Sequence, residues 1–156
     1  MKAARLLLPF LLVGLSGNGT GVANAVALDP VQELFFSQFR TAIHGEDTRQ
    51  LIRLTHPQAR QCTSADNQEY YYALILKGLV QMLGHQQIIM EIESRKVSLQ
   101  DIQQTSNTAG QSSMKWPIPP EEQLLIRYEK DGVESTATLY IARDQDQWKW
   151  VHLCYQ

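Results

Sequence analysis

Residues 124–155 read LLIRYEKDGVESTATLYIARDQDQWKWVHLCY, and this stretch decides the fold. Residues 124–129, 133–143 and 148–155 are three runs rich in β-branched, aromatic and other apolar side chains, which is typical of strands. Asp131-Gly132 lies between the first two runs and strongly favours a two-residue type I′ turn. The stretch therefore predicts an antiparallel three-stranded meander.

The two turns of this meander fix the register of its strands. A turn at residues 131–132 pairs Tyr128 with Ser135, and a turn at residues 145–146 pairs Ile141 with Trp150. Because side chains alternate between faces, one register assigns them all. The less charged face, which we expect the helices to cover, carries Leu124, Ile126, Tyr128, Ala137, Leu139, Ile141, Trp150, His152 and Cys154. The other face carries Leu125, Arg127, Glu129, Thr136, Thr138, Tyr140, Lys149, Val151 and Leu153. In this register Leu139 faces His152 and Ala137 faces Cys154.

Helical periodicity dominates the first half of the chain. Asp29-Pro30 begins a helix that ends at Gly45, and its predicted apolar stripe consists of Val31, Leu34, Phe35, Phe39, Ala42 and Ile43. Asp47 is expected to cap a short second helix that stops before Pro57. Asp66 resembles the first residue of a capping box for a third helix, which ends at Gly84. The predicted buried face of this third helix carries Tyr71, Leu74, Ile75, Gly78, Leu79, Met82 and Leu83.

The middle of the chain changes period. Ile88, Met90 and Ile92 alternate with their neighbours, which predicts a strand that runs to about Val97. Residues 103–113 are rich in polar residues and are expected to form a mobile loop, and the prolines of residues 116–120 require an extended chain. The predicted fold class is α+β, with N-terminal helices packed on one face of a curved, mainly antiparallel sheet that ends in the meander.

The N-terminus has the three parts of a secretion signal. Lys2 and Arg5 precede an uncharged apolar run at residues 6–15, and small residues at 23–27 follow it. The run has about half of the roughly twenty residues that a spanning helix needs, so a retained anchor is the weaker alternative. We expect residues 1–25 to be a signal peptide, cleaved after Ala25 or Ala27, and residues 26–156 to form a single domain. The protein is thus predicted to be exported, either periplasmic or secreted.

Charge and cysteine content exclude several functions. The chain has 14 Lys and Arg residues against 16 Asp and Glu residues, and no basic cluster, so we expect neither nucleic acid nor a membrane surface as partner once the signal is removed. Cys62 and Cys154 are the two cysteines, and in an exported protein an isolated pair favours a disulfide. The alternative is two buried free thiols. Without a His or further Cys at close spacing, the pair does not predict a metal site.

The order of elements resembles the cone-shaped fold shared by nuclear transport factor two and the ketosteroid isomerases. The resemblance is carried by a long helix ending in His44-Gly45-Glu46-Asp47 with a short helix directly after it, by the strand from Ile88, and by the terminal run. It implies a pocket between the helices and the concave sheet, and it implies no activity. A cystatin-like domain is the nearest competitor. No catalytic residue is carried over from the isomerases.

Four residues are candidates to line such a pocket, namely Tyr71, Tyr128, Trp150 and His152. Histidine side chains ordinarily titrate near neutral pH, so His152 could serve as a proton shuttle, but a buried histidine with a protein partner is the favoured interpretation. No sequence motif predicts a cofactor. The leading hypothesis is an exported domain that binds a protein partner or a small apolar ligand. The alternatives are a small isomerase- or hydrolase-like enzyme that uses His152 and a periplasmic immunity-type inhibitor.

The signal prediction can be tested by N-terminal sequencing of the exported protein. We expect a mature chain that begins at Val26 or Leu28, because signal peptidase requires small residues before the cleaved bond. Replacing both Ala25 and Ala27 by Arg should leave the precursor uncleaved. A mature chain that retains Lys2 would contradict the prediction.

Overall fold

The computed structural model describes residues 26–108 and 114–155, and the predicted signal peptide at residues 1–25 lies outside them. The helices are α1 (Pro30–His44), α2 (Thr48–Leu54), α3 (Pro57–Arg60), α4 (Gln68–Leu83) and α5 (Leu99–Thr108). The strands are β1 (Ile88–Lys96), β2 (Met114–Lys115), β3 (Glu122–Lys130), β4 (Val133–Asp144), β5 (Gln147–Val151) and β6 (Cys154–Tyr155). The α+β class is confirmed.

The sheet is antiparallel, with strand order β1-β3-β4-β5, and it is not closed. Its register confirms the two predicted turns: Tyr128 pairs with Ser135, and Ile141 pairs with Trp150. Asp131 and Gly132 both have positive φ angles, of 53° and 77°, as a type I′ turn requires. The inner face of the meander is therefore set by two short turns.

The predicted register is wrong beyond Val151. β5 ends there, opposite Tyr140, so His152 does not pair with Leu139. The chain leaves the ladder at residues 152–153, and Cys154 instead pairs with Lys115 in a separate two-stranded sheet of β2 and β6. This departure brings Cys154 to Cys62, to which it is disulfide-bonded.

A β-bulge in β1 corrects the predicted alternation of that strand. Ile89 pairs with Tyr128 and Ile92 pairs with Ile126, and the register shifts between Ile89 and Glu91. Because Met90 is the extra residue, Ile89 and Ile92 both face the helices, although they are three positions apart. Met90 is exposed instead, as is Ile88. A strict period of two had placed Ile88, Met90 and Ile92 on one face.

The buried faces of the long helices are rotated from the predicted ones. In α1, Val31 and Leu34 are exposed, whereas Gln32 and Phe36 are buried with the rest of the stripe. The buried residues of α4 are Tyr72, Ile75, Leu76, Leu79 and Leu83. Leu74, Gly78 and Met82 are only half-buried. The crossing angle of a helix on a curved sheet selects which apolar residues are covered, and helical spacing alone does not specify it.

The ends of the helices follow the sequence in part. Asp29 and Gln32 form a capping box at the start of α1, and the Asp47 side chain accepts a hydrogen bond from the Gln50 backbone. α4 begins from a 3₁₀ turn at Ala65–Asn67, so the predicted Asp66 cap is wrong. α3 and α5 were not predicted: α5 includes residues 103–108 of the expected loop, and residues 109–113 lie outside the described chain.

Helices α1 and α4 cover the inner face of the sheet and form the main core with it. Phe39 is fully buried and packs edge-on against Trp150, with ring centroids 5.6 Å apart. Leu124 and Ile126 are likewise fully buried beneath the helices. Trp148 belongs to the same core, as expected for tryptophans that fill space rather than bind ligand.

The outer face of the sheet is also partly covered, although only the less charged face was expected to be buried. Trp116 packs edge-on against Tyr140, with ring centroids 4.8 Å apart. Met114, two residues earlier in the chain, is buried. Val151 and Leu153 are also buried. Within residues 26–108 and 114–155, no helix is both long and apolar enough to cross a bilayer.

The disulfide joins the helical layer to the end of the sheet. The Cα atoms of Cys62 and Cys154 are 5.3 Å apart, inside the roughly 4.4–6.8 Å that disulfides require. The sequence separation is 92 residues, so the bond closes a long loop of the unfolded chain. Chain-entropy reasoning gives a stabilisation of about 4 kcal/mol for such a loop.

Reduction of this bond should therefore destabilise the protein. We expect a reductant to lower Tm by several degrees or more, because the unfolded chain regains its entropy. The Cys62→Ser/Cys154→Ser double variant should show the low Tm with and without reductant. A native intact mass that fits two free thiols, or a Tm that reductant leaves unchanged, would contradict the bond.

Candidate functional site

Two features of the described chain could carry function: a buried cluster around His152, and a groove between α1 and β1. His152 follows β5 directly and is only 3% exposed. Its Nε2 lies 2.9 Å from the Tyr72 hydroxyl, and its Nδ1 lies 3.0 Å from the Leu153 carbonyl oxygen. The Tyr72 hydroxyl also lies 3.3 Å from the Ala59 carbonyl oxygen. Both ring nitrogens thus have protein partners.

These partners specify one neutral form of the imidazole. Because the Leu153 carbonyl only accepts, Nδ1 carries the proton and donates it, and Nε2 then accepts the single proton of the Tyr72 hydroxyl, which lies nearer to Nε2 than to the Ala59 carbonyl oxygen. Burial lowers the pKa of His152 to about 4. Burial also raises the pKa of Tyr72 above its ordinary value. Neither group is charged at neutral pH.

The cluster contains three of the four predicted pocket residues. The ring centroids of Trp150 and Tyr71 lie 4.9 Å and 6.1 Å from that of His152. Tyr128 is buried on β3, two strands away from β5. Sequence analysis missed the importance of Tyr72, because the predicted face of α4 was centred one residue earlier, on Tyr71.

The two cysteines complete this cluster. One donor atom of His152 and the sulfurs of Cys62 and Cys154 all lie within 4.8 Å of one another. The prediction that no histidine lies near the cysteines is therefore wrong, because the fold places His152 beside both sulfurs. Yet a metal needs thiolates, and the disulfide leaves neither sulfur in that form. The two sulfurs and the imidazole therefore pack together in the interior and are not free to bind a metal.

The cluster is poorly suited to acid–base chemistry. A general base must reach the proton of a substrate, whereas His152 is buried against aromatic rings and both its nitrogens are bonded within the protein. Its lowered pKa also leaves it a weak base at neutral pH. Its chemistry is that of a satisfied core histidine, which matches the favoured interpretation of the sequence.

The second feature is an open groove of about 750 Å³ between α1 and β1. Helix α1 packs against α2, α4 and β5, and the groove separates it from β1. Six apolar residues line it: Ala27, Leu28, Phe36, Ile89, Met90 and Ile92. The β1 bulge helps to form this lining, because it turns both Ile89 and Ile92 toward the helix.

Cations lie at one end of the groove. Arg40 and His44 are one turn apart on α1 and both line it. The His85 ring stacks on that of His44, with centroids 3.9 Å apart, and His85 Nε2 lies 3.2 Å from the His44 carbonyl oxygen. Partial burial and the charges of His85 and Arg40 lower the pKa of His44, against opposing contributions from the Leu83 and Gly84 backbone.

Polar anchors fix the other end of α1. The Gln32 side-chain amide donates to Ser94 Oγ at 2.9 Å and also to Glu122, and Ser94 donates to Glu122. Ser94 further pairs with Val26 through two backbone hydrogen bonds. The network holds the start of α1 over β1 and β3, so the helix on one side of the groove is fixed relative to the strand on the other. Of the groove residues, sequence analysis had placed Phe36 off the buried stripe and had assigned no ligand-binding role to Arg40.

Comparisons with protein-family models, curated proteins and solved structures find no match for this chain. Function has to be inferred from the site itself.

Burial of neutral His152 makes the stability of the fold depend on pH. The pKa of His152 is about 4 in the folded protein, and an unfolded histidine titrates near about 6.5. Between these values the unfolded chain binds more protons, so stability falls as pH falls. We expect a loss of about 3 kcal/mol between pH 7 and pH 4, measured by urea unfolding.

His152→Gln should have a lower free energy of unfolding at pH 7. It should also lack the further loss of stability that protonation of His152 causes between pH 7 and pH 4 in the native protein. Lys77→Gln, which changes an exposed side chain of α4, serves as the control and should keep the native slope. Parallel stability curves for the native protein and His152→Gln between pH 7 and pH 4 would contradict the assignment.

Proposed function

We propose that this protein is an exported binding domain whose groove between α1 and β1 holds a small, elongated apolar ligand. The single observation that supports this most directly is the groove itself, about 750 Å³, which has an apolar strip contributed by both the helix and the strand beside an equal number of polar residues. Ligand sites in small domains are concave and mostly apolar, with a few polar groups. The groove fits that description better than the closed cluster around His152.

The edge of β1 favours a small ligand over a strand of a partner protein. β1 is an edge strand, and an exposed edge can accept an added strand. Here the bulge at Met90 interrupts the edge, and Val26 already pairs with Ser94 farther along. Bulges and covering segments are the means by which proteins protect edges from strand addition. The volume beside the edge, rather than the edge itself, is the proposed binding surface.

Export is part of the proposal. The disulfide between Cys62 and Cys154 is typical of proteins that fold in an oxidising compartment. The signal-like N-terminus supports the same compartment, periplasmic or extracellular. The likeness to the cone-shaped fold of nuclear transport factor two is likewise a proposal, supported by helices that cover one face of an antiparallel sheet.

The groove can be tested with a neutral apolar dye. We expect N-phenylnaphthylamine to bind the mature protein with enhanced fluorescence, because the groove removes it from water. Ser37→Trp places a large ring in the groove from an exposed position of α1, and it should weaken binding by about tenfold or more.

Leu34→Trp is the matched control. It adds the same ring to an exposed position of the same helix, but Leu34 does not line the groove. It should bind the dye like the native protein, and both variants should keep the native Tm. Equal dye affinity in Ser37→Trp and the native protein would eliminate the groove as the site.

A further inference from the structure

We propose that the ligand of this groove is an amphipathic anion, whose charged head is bound by Arg40 and His44 at the end of the groove near His85. This inference rests on the proposed function and adds the chemical class of the ligand. The groove contains two basic side chains, Arg40 and His44, that form no ion pair with a carboxylate of the described chain.

Arg40 is the first of these groups. It lines the groove and is half-buried, and no carboxylate within residues 26–108 and 114–155 forms an ion pair with it. Its Nε is buried and has no hydrogen-bond partner among those residues. A guanidinium held beside apolar surface without a counter-ion is costly, and an anionic ligand supplies the missing charge.

His44 is the second group. Its Nε2 is also buried and has no hydrogen-bond partner of good geometry within the described chain, although the backbone of Leu83 and Gly84 lies close enough to favour the charged ring. It stands at the last turn of α1, where a protonated histidine is favoured by the helix dipole. The neighbouring positive charges of Arg40 and His85 oppose that protonation. An anion bound here would relieve the repulsion and satisfy both residues at once.

The two carboxylates of the groove, Glu33 and Glu91, do not neutralise Arg40 and His44. Glu91 forms an ion pair with Arg127, with 2.6 Å between the side-chain nitrogen and oxygen. Glu33 lies in the first turn of α1, eleven positions before His44, which corresponds to about 16 Å along the helix axis. The basic side chains Arg40 and His44 therefore lie toward the end of α1, while Leu28 and Ile92 lie near its start, as does Glu33. A chain with one charged end fits this order.

Binding should also be coupled to protonation of His44. The charged groups that act on His44 are Arg40 on the same helix and His85 after α4, whereas Glu91 lines the groove from β1 and is paired with Arg127. An anion between Arg40 and His44 favours the imidazolium, so bound ligand raises the fraction of charged His44. By linkage, affinity for the anion must rise as pH falls through the range in which His44 titrates.

The test uses three probes that share a decyl chain and differ in the head: decane sulfonate, decanol and decyltrimethylammonium. Each displaces N-phenylnaphthylamine from the mature protein. The sulfonate stays charged at every pH used, so only the protein titrates. We expect it to bind about tenfold or more tightly than decanol at pH 6, with the cation weakest. This preference should shrink between pH 6 and pH 8.

Arg40→Gln should remove most of the preference for the sulfonate over decanol. His44→Gln should reduce the preference and weaken its pH dependence. Lys77→Gln, which removes an exposed cation of α4 outside the groove, is the matched control and should behave like the native protein.

The outcomes separate the two proposals. Binding of decanol as tight as that of the sulfonate, or a sulfonate preference that survives in Arg40→Gln, overturns the anionic ligand and leaves the groove standing. A pH-independent preference overturns the role of His44. Failure of the neutral dye and of all three probes to bind overturns the proposed function itself.

Discussion

The packing of α1 across the inner face of the meander is the interaction on which the rest of the structure depends. Phe39 meets Trp150 at the β5 side of the sheet, and the capping residue Gln32 binds Ser94 near the opposite edge. These two contacts set the direction of the helix over the sheet. Because the helix packs closely on β5 and is held over β1 only at its first turns, a groove remains beside the rest of β1.

The same packing separates a closed region from an open one. On the β5 side, Tyr72 and the disulfide enclose His152, and every polar group of the imidazole is bonded within the protein. On the β1 side, Arg40 and His44 have polar atoms without partners in the described chain. Such atoms also occur in Arg60, Gln87, Trp116 and Trp148, so what distinguishes Arg40 and His44 is that both line one groove. The buried His152 cluster and the proposed binding groove thus lie toward opposite edges of the sheet.

The predicted likeness to the cone-shaped fold implied a pocket between the helices and the sheet. It also directed attention to Tyr71, Tyr128, Trp150 and His152, of which three lie together and are largely covered by core packing. The open volume lies instead against β1, where the bulge at Met90 turns Ile89 and Ile92 toward α1. A single inserted residue therefore changes which side chains reach the groove, and alternation alone does not reveal it.

The sequence by itself determined the meander, its two turns and the pairing of Tyr128 with Ser135 and of Ile141 with Trp150, because turn chemistry and a period of two are local properties. It also favoured the disulfide, since two cysteines allow one intramolecular bond, although the sequence left two free thiols as an alternative. Only the tertiary structure decided where β5 ends, which face of each helix is buried, and which polar groups lack partners. Those features depend on contacts between residues distant in the chain, and local pattern carries no information about the angle at which two surfaces meet.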